Sequence, residues 1–361
     1  MPAAFDPVEI PLGASEEETK TLITALCTRV LPGWAEVNLE ELTLTPITGG
    51  ISNLLVKVTP TQHAGLQPVA VKVFGNKTEL LIDRQKELQQ LHKLNSCGFG
   101  AEVVGEFANG RIEAFLTAKT LKPEEMSHPK FVPRIAALLR KLHSVPTDGK
   151  PVLWPTIMEW FEMAKALEFE DLSKQAKFAG IDFASQEREI LELKAICDRV
   201  PTEVVFSHND LLSGNILIVR EPDTPEENSE GTMQFIDYEY SDCGYRGFDL
   251  GNHFNEYAGF ECDYSRYPDT AAQWTFFRHY LSADKPPEVS APTEDELSRL
   301  EAETNVFALA SHVYWGVWSL IQARYSPIDF DYLEYSGTRW AEYFRRKPEF
   351  VAKAKHVFGI E

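Results

Sequence analysis

The chain has 361 residues, 43% of them hydrophobic and 25% charged, which excludes wholesale disorder and a polytopic membrane protein. Domains usually run about 100–200 residues, so this length predicts two domains or one bilobal one. Lys and Arg number 35 against 55 Asp and Glu, a formal net charge of −20. Phosphate-backbone recognition needs clustered cations, so no nucleic-acid partner is expected.

The five cysteines, Cys27, Cys97, Cys197, Cys243 and Cys262, have no C-x-x-C spacing, so neither a zinc site nor a disulfide framework is indicated. MPAAFDPVEIPLGASEEE has no basic n-region and no long apolar h-region, so no secretory or transit signal is expected. The most apolar stretch, Phe307 to Ala323, is interrupted by Ser311, His312, Ser319 and Gln322, which predicts a buried helix and no stable membrane insertion. A cytoplasmic protein is expected. The oligomeric state stays open, a homodimer included.

In chain order, residues 15–31 carry a Ser cap, an acidic first turn and helical periodicity. From about 42 to 74 the Gly- and Pro-bounded segments LTLTPITGGISNLLVKV and PVAVKVFG read as β-strands. Residues 78–96 read as one helix, with Leu80, Leu81, Leu88, Leu91 and Leu94 on one face. EVVGEF and RIEAFLT follow as strands joined by a turn at Asn109-Gly110. This small α+β lobe ends near Ala118. The rest is mostly helical, with amphipathic segments at 132–145, 156–178 and about 184–199, and short strands at 215–220 and 233–238. The acidic segment at 221–231 and the Pro-containing 284–293 read as solvated connectors, the latter before two closing helices.

The sharpest chemical signal is Ser207-His208-Asn209-Asp210-Leu211-Leu212-Ser213-Gly214-Asn215, followed by a strand and then Ile236-Asp237-Tyr238-Glu239. An Asp and an Asn five apart on a tight loop can converge, the Asp on a substrate hydroxyl and the Asn oxygen on a metal. A second Asp after a nearby strand adds a hard oxygen ligand for Mg²⁺. Phosphoryl transfer needs this set, because its catalysis is mainly positioning and charge neutralisation. Upstream, Val69-Ala70-Val71-Lys72 approaches the V-A-I-K strand whose Lys meets ATP phosphates. Glu87, in the next helix, can hold Lys72 by an ion pair. The run Thr48-Gly49-Gly50-Ile51-Ser52-Asn53 can fold backbone N–H groups over phosphates. Each of these alone also reads as a surface Lys, a solvated helix charge or a plain turn. Trp315 and Trp318 share a helix face and Tyr335 follows; aromatic faces attract organic cations, although a Trp pair in a buried helix also reads as core packing. His208, His253 and His312 read as structural hydrogen-bonding histidines, and Asp249 as a brace of the loop.

On the blocks HNDLLSGNIL, IDYEYSDCGYRGFDLGNHFNEYAG, NVFALASHVYWGVWSLIQA and IDFDYLEY, the sequence resembles the choline/ethanolamine kinase family from about residue 42 to 348. The resemblance implies an α+β, bilobal protein-kinase-like fold, with the active site in the cleft between the lobes. The small β-rich N-terminal lobe, 1–118, would bind ATP, with 1–40 as a helical extension. The larger, mostly helical C-terminal lobe, 119–361, would carry catalysis and the amino-alcohol site. Asp210 would be the catalytic base and Asn215 and Asp237 would hold Mg²⁺. Lys72 and Glu87 would organise the ATP phosphates, with Gly49, Gly50, Ser52 and Asn53 over them and Ala114 to Leu116 at the adenine. Tyr240, Glu256 and Tyr264 would line the acceptor pocket with Trp315, Trp318 and Tyr335. G-x-G-x-x-G, D-F-G and A-P-E are missing, which argues against a protein substrate.

The implied reaction is ATP-dependent phosphorylation of ethanolamine, the first step of phosphatidylethanolamine synthesis. Choline kinase is the alternative, and a nucleotide- or head-group-binding pseudokinase the reading of another class. The branch follows from GNKTELLIDR, IDYEY and Lys347-Pro348-Glu349, which look like ethanolamine kinases.

Overall fold

The computed structural model describes residues 4–47, 53–63, 65–75, 77–220, 231–283 and 291–361. Gly49, Gly50 and Ser52 therefore lie outside the described residues. So do residues 221–230 and 284–290 of the two expected connectors. The chain divides into two compact units, Met1–Ala118 with Val219–Ser229, and Lys119–Ile218 with Glu230–Glu361.

The first unit is built on a six-stranded sheet of order β1-β5-β6-β4-β3-β2. Its strands are β1 (Ala4–Asp6), β2 (Leu42–Ile47), β3 (Asn53–Pro60), β4 (Val69–Phe74), β5 (Val103–Phe107) and β6 (Gly110–Ala114). β1 pairs parallel with β5 and the other pairings are antiparallel. Helix α1 (Glu16–Val30) starts where the Ser15 hydroxyl accepts from the Glu18 N–H. Its Ile23, Leu26, Cys27 and Val30 pack with Val56, Val58, Val71, Val73 and Ile112 of the sheet. The expected extension at 1–40 is thus part of this unit's core, contributing both a strand and a helix. Its approach is close: a Cβ on Gly105 would stand 2.4 Å from Val30 Cγ1.

Two local expectations change here. The helix expected over 78–96 is a 3-10 turn at Thr78–Leu80 followed by α2 (Arg84–Ser96). The Asp83 carboxylate accepts from the Gln85 and Lys86 N–H groups and so starts a new helix, while Leu80 is left exposed. The turn between β5 and β6 is Ala108-Asn109, with Gly110 already paired to Phe107. The Asn109 amide is used elsewhere, exchanging two hydrogen bonds with the Ile10 main chain.

The second unit is α-rich. Helices α4 (Leu153–Lys165), α6 (Phe183–Cys197), α7 (Arg246–Asn255), α8 (Thr270–Ser282) and α10 (Tyr332–Phe358) pack on the long α9 (Glu294–Tyr325), while α3 (Val132–His143) packs on α8 and α5 (Leu172–Ala179) on α10. The segment 156–178 splits into α4 and α5 because Asp171 caps a new helix, accepting from Ser173 and Lys174 N–H. β7 (Ala118–Thr120), β9 (Ile216–Val219) and β10 (Thr232–Phe235) form one small sheet, and β8 (Val204–Ser207) pairs antiparallel with β11 (Asp242–Tyr245). β8 and β11 were not expected from the sequence. Helix α7 lies almost backbone to backbone on α9, since a Cβ on Gly251 would come 2.6 Å from the Thr304 carbonyl oxygen. None of the helices among the described residues is long and apolar enough to cross a membrane.

Candidate active site

In the first unit, Lys72 sits buried on the central strand β4, directly opposite Arg111 of β6 and Leu55 of β3. Glu87 lies in the first turn of α2 with only 3% of its surface exposed. Besides the expected Lys72, two arginines meet it. Arg111 donates to its Oε1 at 2.7 Å and Arg84 to its Oε2 at 2.7 Å, while the Lys72 ammonium adds a third positive charge. Burial pushes the carboxyl up, but these three cations hold it down to about 2. Arg84 also donates to the Thr78 hydroxyl at 2.7 Å and to Asn53 Oδ1 at 3.3 Å, and lies over the Phe74 ring. Ala114 closes β6, donating its N–H to the Glu102 carbonyl; the next residue, Phe115, bonds Pro68 and precedes Leu116.

In the second unit the loop after β8 carries His208, Asn209 and Asp210. Asp249, in the first turn of α7, is wholly buried and accepts from three N–H groups. These are the main chains of His208 (2.8 Å) and Asn209 (2.7 Å) and the ring Nε2 of His143 (2.8 Å). Burial pushes its carboxyl up, yet the His143 hydrogen bond, the electrostatic attraction of the His143 and His208 rings and the His208 backbone bond leave it below its usual range. Asp249 is therefore the brace of the loop. His208 takes the Asp210 N–H on Nδ1 and faces the Ile236 carbonyl with Nε2, which fixes its neutral tautomer. His253 uses Nδ1 on the Leu211 carbonyl. His312 departs from expectation, because its buried Nδ1 has no hydrogen-bond partner.

Asp210 itself is only partly exposed. Asn215 donates its amide Nδ2 to the Asp210 carbonyl (2.7 Å) and carboxylate Oδ2 (3.1 Å). That bond assigns Nδ2 to Asp210 and leaves Oδ1, a hard acceptor, for another ligand. Asp237 lies just past β10 in a left-handed conformation, φ 62°. Burial raises the Asp210 carboxyl well above its ordinary range, and the charges of Glu256, Asp237 and Glu239 push the same way against the Asn215 bond. No cluster of three or more His, Cys, Asp or Glu suited to a metal occurs among the described residues. One carboxylate and one amide oxygen instead fit Mg²⁺, which keeps waters and phosphate oxygens in its shell.

A wall of rings stands in the same unit. Consecutive edge-on contacts run from Tyr240 to Trp315 (5.2 Å), Trp318 (5.3 Å), Tyr332 (5.8 Å), Phe330 (4.9 Å) and Tyr335 (5.6 Å). The Trp315 indole N–H donates to Asn252 Oδ1 and the Trp318 N–H to the Tyr240 hydroxyl, so both rings are oriented by specific bonds. Glu256, in the turn after α7, meets the buried Arg339 of α10, whose guanidinium also donates to the Tyr335 hydroxyl. The Tyr264 ring packs edge-on against His312 at 5.3 Å. Arg84, Arg111, His143, Asn252, Tyr332, Phe330 and Arg339 were not singled out from sequence. For Arg339 a signal existed, its i+4 spacing from Tyr335 on one helix face.

Comparisons with known proteins give the chain's relatives. The family profile described as choline/ethanolamine kinase matches residues 44–344. A probable ethanolamine kinase of Arabidopsis thaliana is 40% identical over 356 residues, covering 96% of this chain and 92% of its own. The structure of a Plasmodium vivax ethanolamine kinase superposes with a TM-score of 0.82 at 27% identity, over 96% of this chain and 93% of that one. A Cryptosporidium parvum choline kinase gives a TM-score of 0.74 at 24% identity over 92% and 96%, a likeness of fold.

Proposed function

Since the chain belongs to the choline/ethanolamine kinase family, we propose that it transfers the γ-phosphoryl group of ATP to the hydroxyl of ethanolamine. The observation that carries this reading is the second unit's combination of a ring wall with a carboxylate cluster about Asp210. A cationic alcohol is the substrate such surroundings favour, through cation–π attraction and charge. Relatives named ethanolamine kinases support the choice of acceptor.

Asp210 accepts the hydroxyl proton as the oxygen attacks. Its raised affinity for protons makes it a stronger base than an ordinary aspartate. Asn215 holds it in place, and Asp249 fixes the main chain on which it stands. Asn215 Oδ1 and Asp237 would hold Mg²⁺, which, when bound, neutralises charge on the transferring phosphate oxygens. In the first unit, Lys72, with Glu87, Arg84 and Arg111 about it, supplies the fixed positive charge for the ATP phosphates. Glu256 and Tyr335 accept hydrogen bonds from the ammonium. Phosphoethanolamine for phospholipid synthesis in the cytoplasm is the product of this proposal.

The ring wall favours choline equally, so the acceptor is decided by N–H recognition. A primary ammonium has three donors and a trimethylammonium has none. A site built around acceptors leaves them unpaired when choline binds. A coupled assay of ADP release with ethanolamine, choline or no acceptor tests this. The expected kcat/KM for ethanolamine is at least about tenfold above that for choline. Equal values or a preference for choline would replace the acceptor while keeping the kinase; ADP release in neither case would reject both.

A further inference from the structure

We propose that Arg339 is a positioning residue of the acceptor subsite, holding Glu256 as the carboxylate that meets the ammonium and tying it to the loop that carries Asp210. This rests on the reading of the second unit as an amino-alcohol site. Arg339 is 2% exposed and the bulkiest fully buried side chain of the described residues. Its contact with Glu256 is a single one, NH1 to Oε1 at 3.2 Å. Arg29 with Asp6, Arg246 with Glu303 and Arg345 with Glu342 are all two-pronged. A guanidinium can match both oxygens of a carboxylate at once, and in these three pairs the arginine leaves neither carboxylate oxygen unbonded. Here the second oxygen, Oε2, accepts no hydrogen bond among the described residues. That oxygen is open to another cation.

The other donors of Arg339 lead toward the chemistry. NH2 donates to Ser311 Oγ at 2.9 Å and to its carbonyl at 3.3 Å. Ser311 Oγ donates to Asn252 Oδ1 at 2.8 Å, and Asn252 Nδ2 donates to the Asn209 carbonyl at 3.0 Å. Asn252 Oδ1 also takes the Trp315 indole N–H. One continuous chain thus joins the guanidinium to the residue preceding Asp210 and to the ring wall.

The charged and titratable groups facing this pair are Tyr335 from α10, Cys262 and Tyr264 from the segment after Glu256, Asp210 from the catalytic loop and His312 from α9. Arg339 is the cationic one. Burial pushes the Glu256 carboxyl up and Arg339 opposes it, so losing the guanidinium moves loss of the carboxylate charge to higher pH.

The test is steady-state kinetics of the full chain with ethanolamine varied, on wild type, Arg339→Lys, Arg339→Met, Glu256→Gln and the Arg339→Met/Glu256→Gln double variant. Arg339→Met is expected to raise the ethanolamine KM at least about tenfold, leave the ATP KM within about twofold, and shift the acidic limb of kcat/KM upward in pH. In the Glu256→Gln background the same substitution should add less than about twofold, because its effect runs through that carboxylate. Arg339→Lys keeps the charge and should restore the acidic limb while recovering KM in part. Equal losses in both backgrounds, or an unmoved ethanolamine KM and acidic limb, would overturn the proposal. Should Arg339→Met fail to fold by circular dichroism, Arg339→Lys decides by itself: a wild-type KM would overturn the assignment. Wild-type turnover of ethanolamine is measured first. Its absence would reject the acceptor reading and this inference together, whereas an active wild type with indifferent Arg339 variants rejects the inference alone.

Discussion

Glu87 in the first unit is buried and Asp210 in the second is only partly exposed; burial pushes both carboxyls up, yet they end on opposite sides of the ordinary range. Around Glu87 stand Arg111, Lys72 and Arg84, and the carboxyl falls to about 2. Around Asp210 stand Glu256, Asp237 and Glu239, and the carboxyl rises. Desolvation alone therefore does not assign a role to a buried acid; the sign of its neighbours does. Glu87 is a fixed anion that arranges cations, with no capacity to take a proton near neutrality. Asp210, among like charges, is suited to accept one.

The largest expected effect breaks the second region at Asp237. Asp237→Ala should abolish Mg²⁺-dependent turnover, because a hard divalent ion held by so few protein oxygens cannot spare its carboxylate. Titrating Mg²⁺ against the variant is the measurement, and full activity at ordinary Mg²⁺ would make Asp237 a turn residue only. Next, Glu87→Ala should lower stability by about 3 kcal/mol, since it removes the buried carboxylate shared by Arg111 and Arg84 and leaves Arg111 only its pair with Glu113. Chemical denaturation reads this directly, and a loss below about 1 kcal/mol would mean the cluster is screened as a surface pair is.

A smaller effect sharpens the contrast by pH. His253 is pushed down to about 4 by burial, and His208 and His312 are also lowered, all in the second unit. The unfolded chain takes up protons at these histidines below about 6.5 while the folded chain resists, at His253 until about 4, so the histidines' contribution to stability rises with pH across that window. Acidification from about 6.5 to about 4 should thus lower the melting temperature less in a His253→Gln variant than in the wild type, since the raised carboxyls Asp210 and Glu256 respond with the opposite sign in both. Glu87 is depressed, so its contribution is present above about 4.5 and is lost only as pH falls toward about 2. Hydrogen exchange resolved by segment would separate the two windows. Simultaneous loss of protection in both units would contradict the difference.

What the sequence displayed was whatever is local in the chain. The loop from His208 to Asn215, the β4 lysine and the Trp315/Trp318 pair are short, contiguous patterns, and their elements form where the periodicity places them. The breaks at Asp83 and Asp171 were hidden because a capping carboxylate inside an amphipathic run costs the periodicity nothing while starting a new helix. β8 and β11 are four residues each and pair across a long intervening stretch, too short for alternation to register. The partners of Glu87 and the chain from Arg339 through Ser311 to Asn252 are tertiary pairings between distant segments. Nothing in the spacing of Arg111 or Arg339 announces which carboxylate each will meet.

The most direct test of the contrast is Asp210→Asn, an isosteric change that removes the proton acceptor and leaves the packing. Turnover with saturating ethanolamine and ATP should fall by about 10²–10⁴-fold, while ATP affinity and melting temperature stay at wild-type values or, with one like charge removed, the melting temperature rises. A variant that keeps more than about a tenth of wild-type kcat would contradict Asp210 as the base.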